Sequence, residues 1–148
     1  MSTFKINVKW NRTTSDFNFE TYVRDHVITY SGNQTLNSSS APDFKGNANL
    51  TNPEEILASA LATCHMLTFF AVTSKSGYTV DSYEDDAVAI LDKNAEGKMA
   101  VTEIILHPVV KFSGEKLPDQ EKIKSMHDKA HHNCFIANSI KSHVQVVL

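Results

Sequence analysis

The sequence predicts an α+β protein with an antiparallel sheet. Its patterns fall in the order strands, long helix, strands, helix, strand, and the two longest extended runs face each other across a turn-forming segment at 93–97. A length of 148 residues suits one domain, 1–148, with room for a real core.

Residues 4–10, FKINVKW, alternate apolar and polar, with Phe4, Ile6, Val8 and Trp10 on one face, the period of a half-buried strand. A second extended region runs from about Phe17 through YVRDHVITY to the turn signal Ser31-Gly32-Asn33, and QTLNSS returns from it. From Ser38 to Asn49 no period survives, and Pro42, Gly46 and small polar residues mark a loop.

A long helix is expected over 52–77. Asn52 can cap it, Pro53 suits the first helical position, Glu55 completes an N-x-x-E capping box and Gly77 ends it. Leu57, Ala60, Leu61, Cys64, Leu67, Thr68 and Ala71 share a face, which predicts a buried stripe containing Cys64. Ile56, Met66, Phe69, Phe70 and Val72 widen the apolar surface, as in a central helix.

The segments YTVDSYEDDAVAILD and KMAVTEIILHPVVKFSG read as two long antiparallel strands, with Pro108 marking an edge or a bulge. The run PDQEKIKSMHDKAHH places Ile123, Met126 and Ala130 at helical spacing, an amphipathic second helix. Cys134 falls near its end, ahead of a last strand, HVQVVL.

A net charge of -3 without a basic patch excludes a nucleic-acid surface and leaves small molecules or proteins as partners. The N-terminal MSTFKINVKW lacks the apolar core of a signal peptide, and the apolar stretches fall short of a membrane span, so a cytoplasmic address without membrane contact is expected. The N-x-S/T triplets at Asn11, Asn33, Asn37 and Asn49 are then incidental. Two cysteines are too few for a disulfide scaffold; they are core fillers, a redox pair or metal ligands.

A free thiol has a pKa of about 8.5, and only the thiolate reacts. Cys64 lies roughly three turns into its helix, beyond the reach of the N-terminal dipole field. Activation therefore calls for a cation from elsewhere, and His65, His131, His132 and Arg24 are the candidates. His65 points roughly 100° away from Cys64 around the helix, which disfavours it as a direct base. Adjacent His131 and His132 suit a helix C-terminus. Grouping Cys64, His65, His131, His132 and Cys134 around a metal ion meets poor spacing, since neighbouring helical residues diverge.

NPEEILASALATCHM, residues 52–66, resembles the central-helix motif of the OsmC/Ohr family of peroxide-reducing proteins, and AHHNCFIANSI, residues 130–140, is similar to the segment around that family's second cysteine. The resemblance covers nearly the whole chain. It implies an intertwined homodimer in which antiparallel sheets wrap paired central helices, with two active sites at the interface.

Carried over by residue, the resemblance makes Cys64 the peroxidatic cysteine, Cys134 the resolving cysteine, Glu54 the site carboxylate and Arg24 its arginine, with Arg12 as the fallback. Phe135 stands where many members have proline, which bears on the subgroup. The implied activity reduces organic hydroperoxides to alcohols through a Cys64 sulfenic acid and a Cys64–Cys134 disulfide. An external dithiol, such as a lipoyl group on a protein, recycles the disulfide, and no cofactor or metal is implied. Glu54 and Cys64 are about 15 Å apart along a straight helix, so Glu54 acts through Arg24 or in a site the partner subunit completes. Apolar neighbours Leu67, Phe69 and Phe70 favour alkyl over small polar peroxides. Two other readings stay open: an altered family scaffold that binds a hydrophobic small molecule at the dimer interface, and a metal-binding module.

Overall fold

Along the chain run β1 (Asn7–Lys9), β2 (His26–Thr29), β3 (Thr35–Ser38), α1 (Pro53–Lys75), β4 (Thr79–Asp85), β5 (Val88–Lys93), β6 (Met99–Leu106), β7 (Pro108–Ser113), α2 (Gln120–Asn133) and β8 (His143–Val146). The computed structural model describes residues 1–148. Contacts divide them into two units, Met1–Ile56 and Leu57–Leu148.

In the first unit β1, β2 and β3 form an antiparallel meander, with Val8 opposite Ile28 and Ile28 opposite Leu36. The expected turn is present: Gly32 and Asn33 adopt the left-handed conformation at φ 71° and 59°. The first strand is shorter than its alternation implies, and Phe4 is 90% exposed, so this apolar face lies open. The second strand begins only at His26. Upstream, Asp16 accepts hydrogen bonds from the Asn18 N–H at 3.3 Å and from the Thr21 hydroxyl, while the Tyr22 N–H bonds Asn18 O at 3.0 Å. Local bonds of this kind compete with a strand ladder.

The loop folds closely on itself at Gly46, where a Cβ would lie 1.5 Å from the Ser40 carbonyl oxygen. Only glycine can approach so near. The predicted capping box then starts α1. The Asn52 side chain accepts from the Glu55 N–H at 2.9 Å, and Glu55 returns a carboxylate to the Asn52 N–H at 3.0 Å.

The second unit differs from expectation in which face of α1 it buries. The buried line runs through Ala58, Leu61, His65, Phe69 and Thr73; Cys64 is half-buried and Leu67 is 62% exposed. A helix apolar on most of its circumference carries no periodic signal that selects one face. Its 23 residues and window hydropathy of 1.7 also match a membrane span by length and composition, contrary to the sequence reading. Here Leu61 and Phe69 are buried in protein.

Each long strand is broken in two. β4 pairs β7 and β5 pairs β6, both antiparallel, and the break in the second strand falls at His107, just before Pro108. The His107 N–H leaves the ladder for the Asp85 carboxylate at 2.7 Å, and Pro108 opens β7 at the end of its register opposite Asp85. β8 joins β6 in parallel, Ile104 opposite Val144, where an antiparallel partner was expected. The connection through β7 and α2 is long enough for a parallel return.

Asp119 caps α2 by accepting the Lys122 N–H at 2.7 Å, and Met126 and Ala130 are buried as their spacing predicts, together with His127. One core cluster joins Ala58, Leu61, Ile104, Leu106 and Cys134; a second joins Phe69, Met126 and Ala130.

Candidate active site

The two cysteines, seventy positions apart in sequence, pack into the same core cluster of the second unit, both as free thiols. Cys64 sits mid-helix on α1. Cys134 is fully buried at the C-cap of α2, where its N–H bonds the His131 carbonyl at 3.3 Å and its own carbonyl accepts the Asn138 N–H at 3.0 Å. The chain from Cys134 to Ser139 is thereby wound into a tight helical turn, which Ser139 Oγ ties further by donating to Phe135 O at 2.7 Å.

That turn brings hydrogen-bond donors to the sulfurs. Partial burial alone would push the Cys64 thiol up. The hydrogen bond from the Cys134 thiol, with contributions from the backbone N–H groups of Ile136 and Phe135, outweighs it and holds Cys64 below the usual cysteine range. Thr68, whose hydroxyl also bonds the Cys64 carbonyl at 2.8 Å, adds a smaller effect in the same direction. Cys134 moves the other way: burial first, then the bond to Cys64, push it up to about 11, against a weaker opposing bond from the Ala137 N–H at 3.4 Å. The pair is polarised, with Cys64 favoured as thiolate and Cys134 as the proton-bearing donor.

These donors in the second unit are neutral, where the sequence pointed to a cation. Peptide N–H groups carry no sequence signature, so nothing in the sequence marks Phe135 and Ile136 as donors to a thiolate. Thr68 was legible only as a member of the helical stripe.

Beside Cys64 opens a cleft of about 750 Å³ walled by Leu67, Thr68, Ala71, Val72 and Phe135. Phe135 is 81% exposed. An apolar cleft with a nucleophile in its wall suits a substrate with an alkyl or aryl body.

Arg24, Arg12 and Glu54 belong to the first unit. The Arg24 guanidinium donates to the carbonyls of Tyr22 and Phe19, both at 2.8 Å, and lies 4.0 Å from the Tyr22 ring centre. Arg12 donates to Thr14 O and Ser15 O at 2.6 Å. Glu54 Oε2 is buried without a hydrogen-bond partner. Arg24 also lines a second cavity of about 400 Å³ with Trp10, Phe17, Tyr22, His26 and Pro53.

His65 is buried at the α1–α2 contact, where Nε2 lies 3.0 Å from His127 Nδ1. His131 and His132 end α2, as their placement in its last turn suggested. No three His, Cys, Asp or Glu side chains gather closely enough to hold an ion.

A family model described as OsmC-like protein matches residues 46–148. The chain is 38% identical to an OsmC-like protein of unknown function from Vibrio cholerae, and their structures match with a TM-score of 0.95 over 99% of each chain. It is 27% identical over 127 residues to the uncharacterized protein YmaD of Bacillus subtilis, covering 84% of each. An organic hydroperoxide resistance protein from Elizabethkingia anophelis, 16% identical, matches in fold with a TM-score of 0.69 over 98% of this chain and 94% of its own.

Proposed function

The chain belongs to the OsmC-like protein family, and from that membership we propose that it is a thiol-dependent peroxidase that reduces organic hydroperoxides to alcohols. The observation that carries this reading is the polarised contact between Cys64 and Cys134. Core-filling thiols have no need of donors aimed at one sulfur.

In the proposed reaction the Cys64 thiolate attacks the distal oxygen of the hydroperoxide. The S–O bond forms, the O–O bond breaks, and the alkoxide takes a proton to leave as alcohol, giving Cys64 sulfenic acid. The Cys134 sulfur then attacks the oxidised sulfur. Water leaves, and the Cys64–Cys134 disulfide carries the two oxidising equivalents. A dithiol, free or as a lipoyl group on a protein, returns two electrons and two protons by exchange. The 38% identical relative is itself of unknown function. The Elizabethkingia anophelis protein that shares this fold is named for organic hydroperoxide resistance.

Arg24 is assigned to polarise the peroxide oxygens, with Arg12 second to it, and Glu54 to hold the guanidinium through charge-assisted hydrogen bonds. The unpartnered buried oxygen of Glu54 supports that role. The two units act as one OsmC/Ohr-like domain, 1–148, in a cytoplasmic homodimer.

Peroxide consumption with a dithiol, measured for wild type, Cys64→Ser and Cys134→Ser, tests the reading. Cys64→Ser is expected to abolish turnover and Cys134→Ser to stop at a trappable sulfenic acid; full turnover in Cys64→Ser defeats it. The exposed apolar cleft supports a second reading, a catalytically altered scaffold that binds a hydrophobic small molecule. Peroxide-inert thiols and a copurifying apolar ligand would favour it.

A further inference from the structure

We propose that the His65–His127 hydrogen bond is a positioning device that sets Cys64 against Cys134 for disulfide formation. The proposal rests on the redox-pair reading above. It assigns a role to two buried histidines that the reaction itself does not use.

Both side chains are 1% exposed, and the apolar cluster of Phe69, Met126 and Ala130 surrounds this part of the α1–α2 contact. His65 Nε2 and His127 Nδ1 are 3.0 Å apart, the ring planes lie within 4° of parallel, and Phe69 stacks on His127 with ring centres 4.0 Å apart. His65 Nδ1 and His127 Nε2, the outer nitrogens, have no hydrogen-bond partner. Burial keeps both rings neutral at neutral pH, so one proton is shared between the facing nitrogens.

A pair of leucines would fill this space without orphaned nitrogens. What the imidazoles add is direction. Apolar contact tolerates sliding and rotation, whereas a hydrogen bond weakens steeply with distance and angle. The bond therefore fixes how α1 is rotated and registered against α2.

That register decides the sulfur geometry. His65 follows Cys64 directly on α1. On α2, His127, Ala130 and Cys134 recur at steps of three and four and share a face, with Cys134 about 10 Å along the axis from His127. A slip of one residue moves Cys134 by about 1.5 Å relative to Cys64. A disulfide needs its sulfurs about 2.05 Å apart with a restricted torsion, so such a slip is costly.

The test is the equilibrium of the reduced protein with oxidised and reduced glutathione. In it the protein dithiol gives two electrons to glutathione disulfide and becomes the Cys64–Cys134 disulfide. His65→Leu/His127→Leu replaces both partners with apolar groups; it is expected to fold and to lower this equilibrium constant about tenfold. His65→Gln/His127→Asn keeps amide groups near the positions of Nε2 and Nδ1 and is expected to restore most of it. Equal constants in wild type and the leucine pair, or a loss that the amide pair does not recover, would overturn the proposal. Should the leucine pair fail to fold, His127→Phe takes its place in the same assay: a lowered constant supports the proposal and an unchanged one overturns it. Peroxide takes no part in this exchange, so an inactive peroxidase and a failed positioning role give separate results.

Discussion

Cys134, fully buried at the end of α2, packs with Cys64 of α1 in one core cluster, and hydrogen bonding between the thiols lowers the Cys64 thiol and raises that of Cys134, so two chemically identical groups become unequal. The donor, Cys134, is held as thiol by burial and by that bond. The acceptor, Cys64, gains thiolate character from it. In the proposed reaction attack therefore falls to Cys64 and resolution to Cys134, the order expected from the lowered Cys64 thiol and the raised Cys134 thiol.

Removing that donor exposes its contribution. Cys134→Ala is expected to raise the Cys64 thiol pKa toward its usual value and to slow iodoacetamide alkylation at neutral pH about tenfold. The pH profile of alkylation reads this directly, and an unchanged midpoint would assign the shift to the backbone donors of Ile136 and Phe135 alone.

The buried histidines make folding sensitive to acid. Burial, with His127 and His131 beside His65, holds His65 at about 4, and burial, against a small opposing influence of Asp128, holds His127 at about 4. An unfolded histidine titrates near about 6.5, so between these values the unfolded chain binds more protons and stability falls as pH falls. The loss is at most roughly 3 kcal/mol per histidine, complete near pH 4, and absent above about 6.5. Urea unfolding across this range checks it; His65→Leu/His127→Leu is expected to flatten the slope.

The cleft beside Cys64 is expected to select apolar substrates. Leu67→Asn places a neutral polar amide on its wall and is expected to raise KM for cumene hydroperoxide about fivefold or more. Alkylation of Cys64 by a small polar reagent is expected to change little, which separates substrate binding from thiol reactivity.

The first unit has its own point of failure. At Gly46 any Cβ meets the Ser40 carbonyl, so Gly46→Ala is expected to cost about 3 kcal/mol or more or to force the loop open. Asn52→Ala, which removes only one side of the capping box, is expected to cost about 1 kcal/mol. Thermal unfolding of the two variants ranks them.

Signals with a local cause were legible in the sequence. Asn52, Pro53 and Glu55 announced the start of α1, the spacing of Ile123, Met126 and Ala130 marked α2, and Gly32 sits in the turn its neighbours implied. Signals requiring long-range knowledge were not. The apolar circumference of α1 hid that His65 faces inward while Leu67 faces out, and the parallel pairing of β8 depends on a return across α2. At the site, the side chains Cys64 and Cys134 were visible. The peptide donors were not, because every residue but proline carries one.

The most direct measurement is the intact mass of the reduced protein after one equivalent of cumene hydroperoxide, followed by peptide mapping. The expected product has lost two hydrogens and links Cys64 to Cys134. Unchanged mass with both thiols still free would contradict the assignment of the pair as a peroxidatic and a resolving cysteine.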